Sequence, residues 1–163
     1  MVDSRRNYDV SLVKKFFIQL RIKKMSKAIE NLLEAQKLAM RIRPKVGGFP
    51  VIAETLRLAG VTRNVWTLHS CQSLYLTKHG PVIQPGIPLI NQTVEVAPFS
   101  QEALIGALCV DQAGESTFLE FLNTTWRAGI INYDVDLENR KVTYFGACGE
   151  SYSEFYLAVV IQK

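Results

Sequence analysis

The sequence predicts an α+β fold with a mainly antiparallel sheet, and three observations carry that prediction. Amphipathic helical stretches alternate with stretches whose apolar residues recur at every second position, as on half-buried strands. The strand-like stretches come in pairs joined by short turns, as in β-hairpins. The order helix, helix, hairpin occurs twice, with Phe49 and Phe118 at matching positions 69 residues apart, so the chain reads as a duplicated helix-helix-β-hairpin unit.

The second unit is the more legible of the two. Thr117 can cap a helix while Glu120 reaches back to the cap amide, which is a capping box. Phe118, Phe121, Leu122, Thr125 and Ala128 then share one face, and Gly129 suits the left-handed residue that ends a helix. Ile131, Tyr133, Val135 and Leu137 alternate with Asn132, Asp134 and Asp136 along a strand. Glu138-Asn139 is the expected turn, and Lys141 to Phe145 the return strand with Val142 and Tyr144 on one face. The same shift of 69 places Ile52 on Phe121, Ala59-Gly60 on Ala128-Gly129, Leu68 on Leu137 and Tyr75 on Tyr144.

In chain order, Ser26 to Arg43 traces a helix through Ile29, Leu32, Leu33, Gln36, Ala39 and Met40, and Pro44 ends it. Helix 49–59 follows a short loop, with Pro50 in its first turn and Gly60 just past its end. A strand is expected over Val61 to His69, a turn over Ser70 to Ser73, and a return strand over Leu74 to Thr77. His79 to Pro88 holds three prolines and two glycines, so it is expected to stay outside the sheet as a packed connector. Thr93 to Ala97 reads as a strand and Ser100 to Asp111 as a helix capped by Ser100. Near the end Phe155, Leu157, Val159 and Ile161 alternate, with Ala158 and Val160 making the other face apolar too. A strand there is expected to be covered on both sides.

A chain of 163 residues, 48% hydrophobic and 10% aromatic, suffices for one globular domain with its own core. No apolar run approaches the length of a transmembrane helix, and the first 30 positions lack the features of a secretory signal. Three cysteines, Cys71, Cys109 and Cys148, form no CxxC pair and leave an odd one over, which points to a cytoplasmic protein. The net charge of +4 is unevenly placed. Residues 1–24 carry seven basic and two acidic side chains, a net of +5, which leaves −1 for the other 139 residues. Nucleic-acid binding by the core is therefore not expected. Residues 1–24 read as a basic extension and 25–163 as a single domain. For the extension three readings stand: a start placed upstream of the natural Met25, a segment docked on the core, or a membrane or nucleic-acid helix through Val13, Phe16, Phe17 and Leu20.

Few residues suggest chemistry. His69 and Cys71, with His79 nearby, are soft ligands or a Cys-His pair, but the expected turn at Ser70 would split them. Asp134 and Asp136 share one strand face at a separation suited to acid-base work, yet a solvated face needs polar residues anyway. Gly146 and Gly149 lack the lysine and spacing of a phosphate loop, and Ser151 lacks a nucleophile-elbow context. Trp66, Trp126 and the tyrosines read as core and sheet aromatics. No catalytic, cofactor or metal residue is assigned, and no cofactor is expected.

At GESTFLEFLNTTWRAGIINYDVDLENRKVTYFG the chain resembles the YdfO-like family of prophage-associated bacterial proteins, a domain of unknown function often labelled "phage envelope protein". The resemblance runs from about Gly47 to the C-terminus. It is clearest at Ser116-Thr117-Phe118, Ala128-Gly129-Ile130 and Thr143-Tyr144-Phe145, with Phe49-Pro50 and Ala59-Gly60-Val61-Thr62 similar to the family's first half. It implies an α+β fold and a compact cytosolic domain, carries no catalytic residue over, and has no counterpart for residues 1–24. The envelope label is set aside, since the sequence has neither signal nor span. The expected function is a non-enzymatic binding domain of mobile-element origin that takes a protein or small-molecule partner. The alternative is a small enzyme or ligand-binding protein with its site between the halves.

Overall fold

The structure, a computed structural model, describes residues 25–161; the readings of residues 1–24 lie outside the described residues. The four helices are α1 (Lys27–Ile42), α2 (Gly48–Leu58), α3 (Gln101–Gln112) and α4 (Phe118–Arg127). The six strands are β1 (Val61–Thr67), β2 (Gln72–Thr77), β3 (Val82–Gln84), β4 (Ile130–Asp136), β5 (Lys141–Gly146) and β6 (Ser151–Phe155). They form one antiparallel sheet in the order β3-β2-β1-β4-β5-β6. The fold is α+β, as expected.

Local chemistry sets the helix ends. Ser26 Oγ accepts from the Ile29 amide at 3.3 Å and Ser100 Oγ from the Ala103 amide at 3.2 Å. Thr117 and Glu120 form the expected capping box. Arg43 turns extended before Pro44, because the proline ring excludes the helical conformation from the residue preceding it. Gly60 and Gly129, with φ +91° and +81°, both take the left-handed position that L side chains resist, and a strand starts at the next residue.

The helices bury their apolar faces against one face of the sheet. Leu32 and Ala35, Ala53 and Leu56, Leu104 and Leu108, and Phe121 and Leu122 share a single core with Tyr75, Tyr133, Val135, Val142 and Tyr144. The offset of 69 recurs in the ladders. Both β1–β2 and β4–β5 break register once, between Val61 and Arg63 and between Ile130 and Asn132. Where the halves meet, the β1–β4 ladder is centred on Val65 opposite Asp134, residues that are themselves matching positions.

Four expectations are corrected. Val82–Gln84, expected in a connector, is strand β3; at a sheet edge the prolines on either side cost no ladder donor. No strand forms over Thr93 to Ala97. The stretch instead passes close to the α4–β4 junction, where a Cβ on Gly129 would lie 2.5 Å from the Pro98 carbonyl oxygen. The last strand is Ser151–Phe155, at an edge rather than covered on both sides, and Leu157 and Val160 are exposed; alternation of apolar residues cannot distinguish a strand from a tail. The first hairpin turns over Leu68 to Cys71, two residues earlier than expected, because Cys71 itself takes φ +50°.

Candidate functional site

Pairing register sorts the strand residues into cross-sheet rows, since directly opposed residues share a face. On the helix-covered face one row runs Gln84, Ser73, Trp66, Tyr133, Tyr144, Tyr152, and the next Val82, Tyr75, Asn64, Val135, Val142, Glu154. This buried face carries polar side chains among its tyrosines and valines. Asn64 donates to Ser73 Oγ at 2.5 Å and to the Leu74 carbonyl at 3.3 Å, which satisfies its amide inside the core.

Each half builds a polar triad there. In the first, Gln36 from α1 donates to Tyr75 Oη at 3.2 Å and to Gln84 Oε1 at 2.7 Å. In the second, Tyr144 donates to Glu154 Oε1 at 3.3 Å and Gln112 from α3 to Glu154 Oε2 at 3.4 Å. Tyr75 and Tyr144 are matching positions, and Gln84 and Glu154 lie opposite the matching Ser73 and Val142. The first triad is neutral and the second holds an acid. Burial pushes the Glu154 carboxyl above its ordinary value, against the lowering hydrogen bonds of Tyr144 and Gln112. Asp111, one residue before Gln112, is raised for the same reason and accepts from Ser116 Oγ at 3.2 Å.

The other sheet face has no described helix on it. Its central row runs Ile83, Leu74, Val65, Asp134, Thr143, Ser153, flanked by Leu76, Arg63, Asp136, Lys141, Phe155. Val65, Leu74, Leu76 and Ile83 make an apolar patch over β1 to β3, with Ile83 61% exposed. The matching positions of Val65, Leu74 and Leu76 are Asp134, Thr143 and Phe145.

The sequence candidates do not assemble into a reaction centre. Asp134, expected on a solvated face, is only 9% exposed, because Arg63 Nε lies 2.8 Å from both its oxygens and Arg63 Nη2 also bonds it. Asp136 instead ties the β4–β5 turn, accepting from the Glu138 and Asn139 amides at 3.1 and 2.9 Å. The Asn139 hydrogen bonds hold its carboxyl below the usual range. His69 lies against Trp126 at 6.4 Å, while Cys71 is buried with its thiol pushed up by burial. Among the described residues no group of three His, Cys, Asp or Glu side chains could hold a metal ion. Trp66 packs edge-on to Phe118 and parallel to Tyr133, consistent with a core aromatic. Gly146 closes the β5–β6 turn by donating to the Glu150 carbonyl.

Two features went unread in the sequence. Glu54 on α2 is buried and accepts from Arg57 at 2.7 and 2.9 Å, with Arg140 of the β4–β5 turn 3.9 Å away. The Arg57 hydrogen bond, opposed by burial, keeps its carboxyl below the ordinary value. A groove of about 580 Å³ runs between α1 and α2, lined by Ala35, Leu38, Leu58 and Ala59, with Ile161 at one side and Lys37 and Arg41 along it. Glu54 gave no signal beyond a charge on an apolar helix, and the groove depends on how two helices pack.

Residues 45–154 match the model of a family described as protein of unknown function (DUF1398). The chain belongs to this family. Over 136 residues it is 53% identical to proteins of Mycobacterium bovis and Mycobacterium tuberculosis, each named an uncharacterized protein, covering 83% of this chain and 83% of theirs. The family match includes all of the second triad and, of the first, Tyr75 and Gln84; Gln36 lies outside it. Among the described residues no helix is long and apolar enough to cross a membrane.

Proposed function

We propose that residues 25–163 form a non-enzymatic binding domain that engages another protein through the apolar patch on the helix-free face of the sheet. One observation carries this reading. Val65, Leu74, Leu76 and Ile83 are neighbours by register on a face that no described helix covers. Monomeric domains rarely leave such patches without a use. A protein partner is favoured over nucleic acid because residues 25–163 carry a net charge of −1. The cytoplasmic setting, the prophage association of YdfO-like proteins, the separateness of residues 1–24 and the descent of the two halves from one duplicated unit belong to the same proposal. The matching registers of the halves support the last.

A photo-crosslinking side chain at Leu76 is expected to give a discrete protein adduct in host cells, and one at Thr143 none. Ile83→Arg should abolish the Leu76 adduct while leaving the melting temperature unchanged. Equal labelling at both positions, or none at Leu76, overturns the proposal.

A second reading, a small-ligand site within the second half rather than in the cleft between the halves, draws on Asp111 and Glu154, two half-buried carboxyls raised by burial where the first triad manages with amides. A metabolite that stabilises the protein but not its Glu154→Gln variant in a thermal-shift screen would favour it.

A further inference from the structure

The sheet ends in two edges, β3 and β6, and their backbones differ in a way that side-chain exposure does not reveal. In an antiparallel ladder alternate residues direct both N–H and C=O toward the neighbouring strand, and those between direct both outward. The Gly80 amide donates to the Thr77 carbonyl, which fixes the phase of β2–β3. Gly80, Val82 and Gln84 therefore face inward, and Pro81, Ile83 and Pro85 outward. Two of the three outward positions on this edge are prolines with no N–H, which blocks pairing with another strand.

On the other side the Gly146 amide donates to the Glu150 carbonyl and the Tyr156 amide to the Arg140 carbonyl. With the β5–β6 register this makes Glu150, Tyr152, Glu154 and Tyr156 the inward positions. Ser151, Ser153 and Phe155 direct N–H and C=O outward, and none of them is proline. Phe155 is 74% exposed beside this edge. Among the described residues, one edge of the sheet is closed and the other is open.

We propose that the β6 edge pairs with the β6 edge of a second copy of this chain, antiparallel about a two-fold axis at Ser153, giving a continuous sheet across a symmetric dimer. The edge is self-complementary about that axis, and charge selects the register. Centred on Ser153, each Tyr152 lies opposite the partner's Glu154 and each Ser151 opposite the partner's Phe155, and no like charges meet. A shift by one residue toward the N-terminus sets Glu154 opposite the partner's Glu150. A shift the other way sets it opposite the partner's Glu154. Like charges directly opposed across strands are destabilising, so the Ser153-centred register, which also pairs the whole of β6, escapes a penalty that both neighbouring registers carry. The three outward residues of each strand then exchange hydrogen bonds in full. This inference concerns the in-plane edge and stands apart from the apolar-face reading.

The test is sedimentation equilibrium of the full chain with its Ser153→Pro and Leu76→Arg variants. Ser153 makes no backbone bond to β5, so proline there removes an outward donor and spares the ladder within the chain. The wild type is expected to show a concentration-dependent dimer, and Ser153→Pro to raise its dissociation constant roughly tenfold or more with the monomer still folded by circular dichroism. Leu76→Arg should leave the dimer intact, which separates this inference from the face. In a background lacking Cys109 and Cys148, Ser153→Cys should form a disulfide-linked dimer on mild oxidation, because paired residues at the axis sit about 5.5 Å apart between Cα atoms. A wild type that stays monomeric throughout, a dimer insensitive to Ser153→Pro, or a Ser153→Cys variant that never cross-links overturns it. A monomer whose β6 edge takes up a peptide of another protein counts among those failures.

Discussion

The two halves of the molecule share a backbone plan and differ in how each matching position is used. Gly60 and Gly129 end matching helices with nearly the same φ, but only at Gly129 would a Cβ run into the backbone of another segment. The matching triads hold Gln84 in one half and Glu154 in the other. The helix-free face is apolar over the first half and mostly polar over the second. Backbone geometry is thus set by turns and ladder registers, while burial and charge at a given position follow from what the rest of the chain places there.

The largest expected effect tests the glycines. A Cβ on Gly129 would lie 2.5 Å from the Pro98 carbonyl oxygen, whereas one on Gly60 meets only Lys78 side-chain carbons at 3.7 Å. Gly60→Ala should cost about 1–2 kcal/mol for the left-handed backbone alone. Gly129→Ala should cost roughly 3 kcal/mol or more in denaturant melts, because backbone must also move. Equal costs would break the comparison.

Next comes Glu54, whose matching position is Asn123. Glu54→Ala should destabilise by about 2 kcal/mol, less than a fully buried pair because Arg57 and Arg140 remain about a third exposed. The folded-state pKa of Glu54 is lowered, so its contribution is complete above 4.5 and is lost as pH falls through the folded value. The difference between wild type and variant, followed by melts at several pH values, should shrink in acid.

The helix starts differ more mildly. Thr117→Ala removes the capping box and should cost about 1 kcal/mol. Gly47, left-handed at the α2 N-cap without a side-chain bond, should accept asparagine within about 0.5 kcal/mol.

The smallest effect has the opposite sign. Glu154 has a raised folded pKa, so its contribution is present below 4.5 and lost as pH rises through the folded value. Glu154→Gln should therefore raise the melting temperature at neutral pH and leave it unchanged near pH 4, and Gln84→Glu should lower it at neutral pH. Opposite pH trends at Glu54 and Glu154 would sharpen the contrast between an acid paired with arginines and a buried one that has only neutral hydrogen-bond donors.

Much of this was legible in the residues. Thr117, Glu120, Gly60 and Gly129 act within one helical turn of their neighbours, so their roles follow from local chemistry. Tyr133 and Val135, like Val142 and Tyr144, share a buried face because strand period is set by the backbone. Pro81 and Pro85 speak against a strand at 82–84 unless it stands at an edge, which only long-range pairing decides, and beyond Phe155 an apolar tail alternates by chance. Nothing near Asp134 in the sequence marks it as buried, because its partner Arg63 is 71 residues away.

By itself the sequence determined the α+β class, the helix caps, the left-handed glycines and the repeated order of elements, all of them consequences of contacts between near neighbours. Only the tertiary structure decided which positions face each other across the sheet, which edge its prolines close, and which carboxyls meet a guanidinium and which only neutral donors. Those depend on pairings between distant segments, and a shift of one residue in any of them would turn every side chain of a strand to the opposite face.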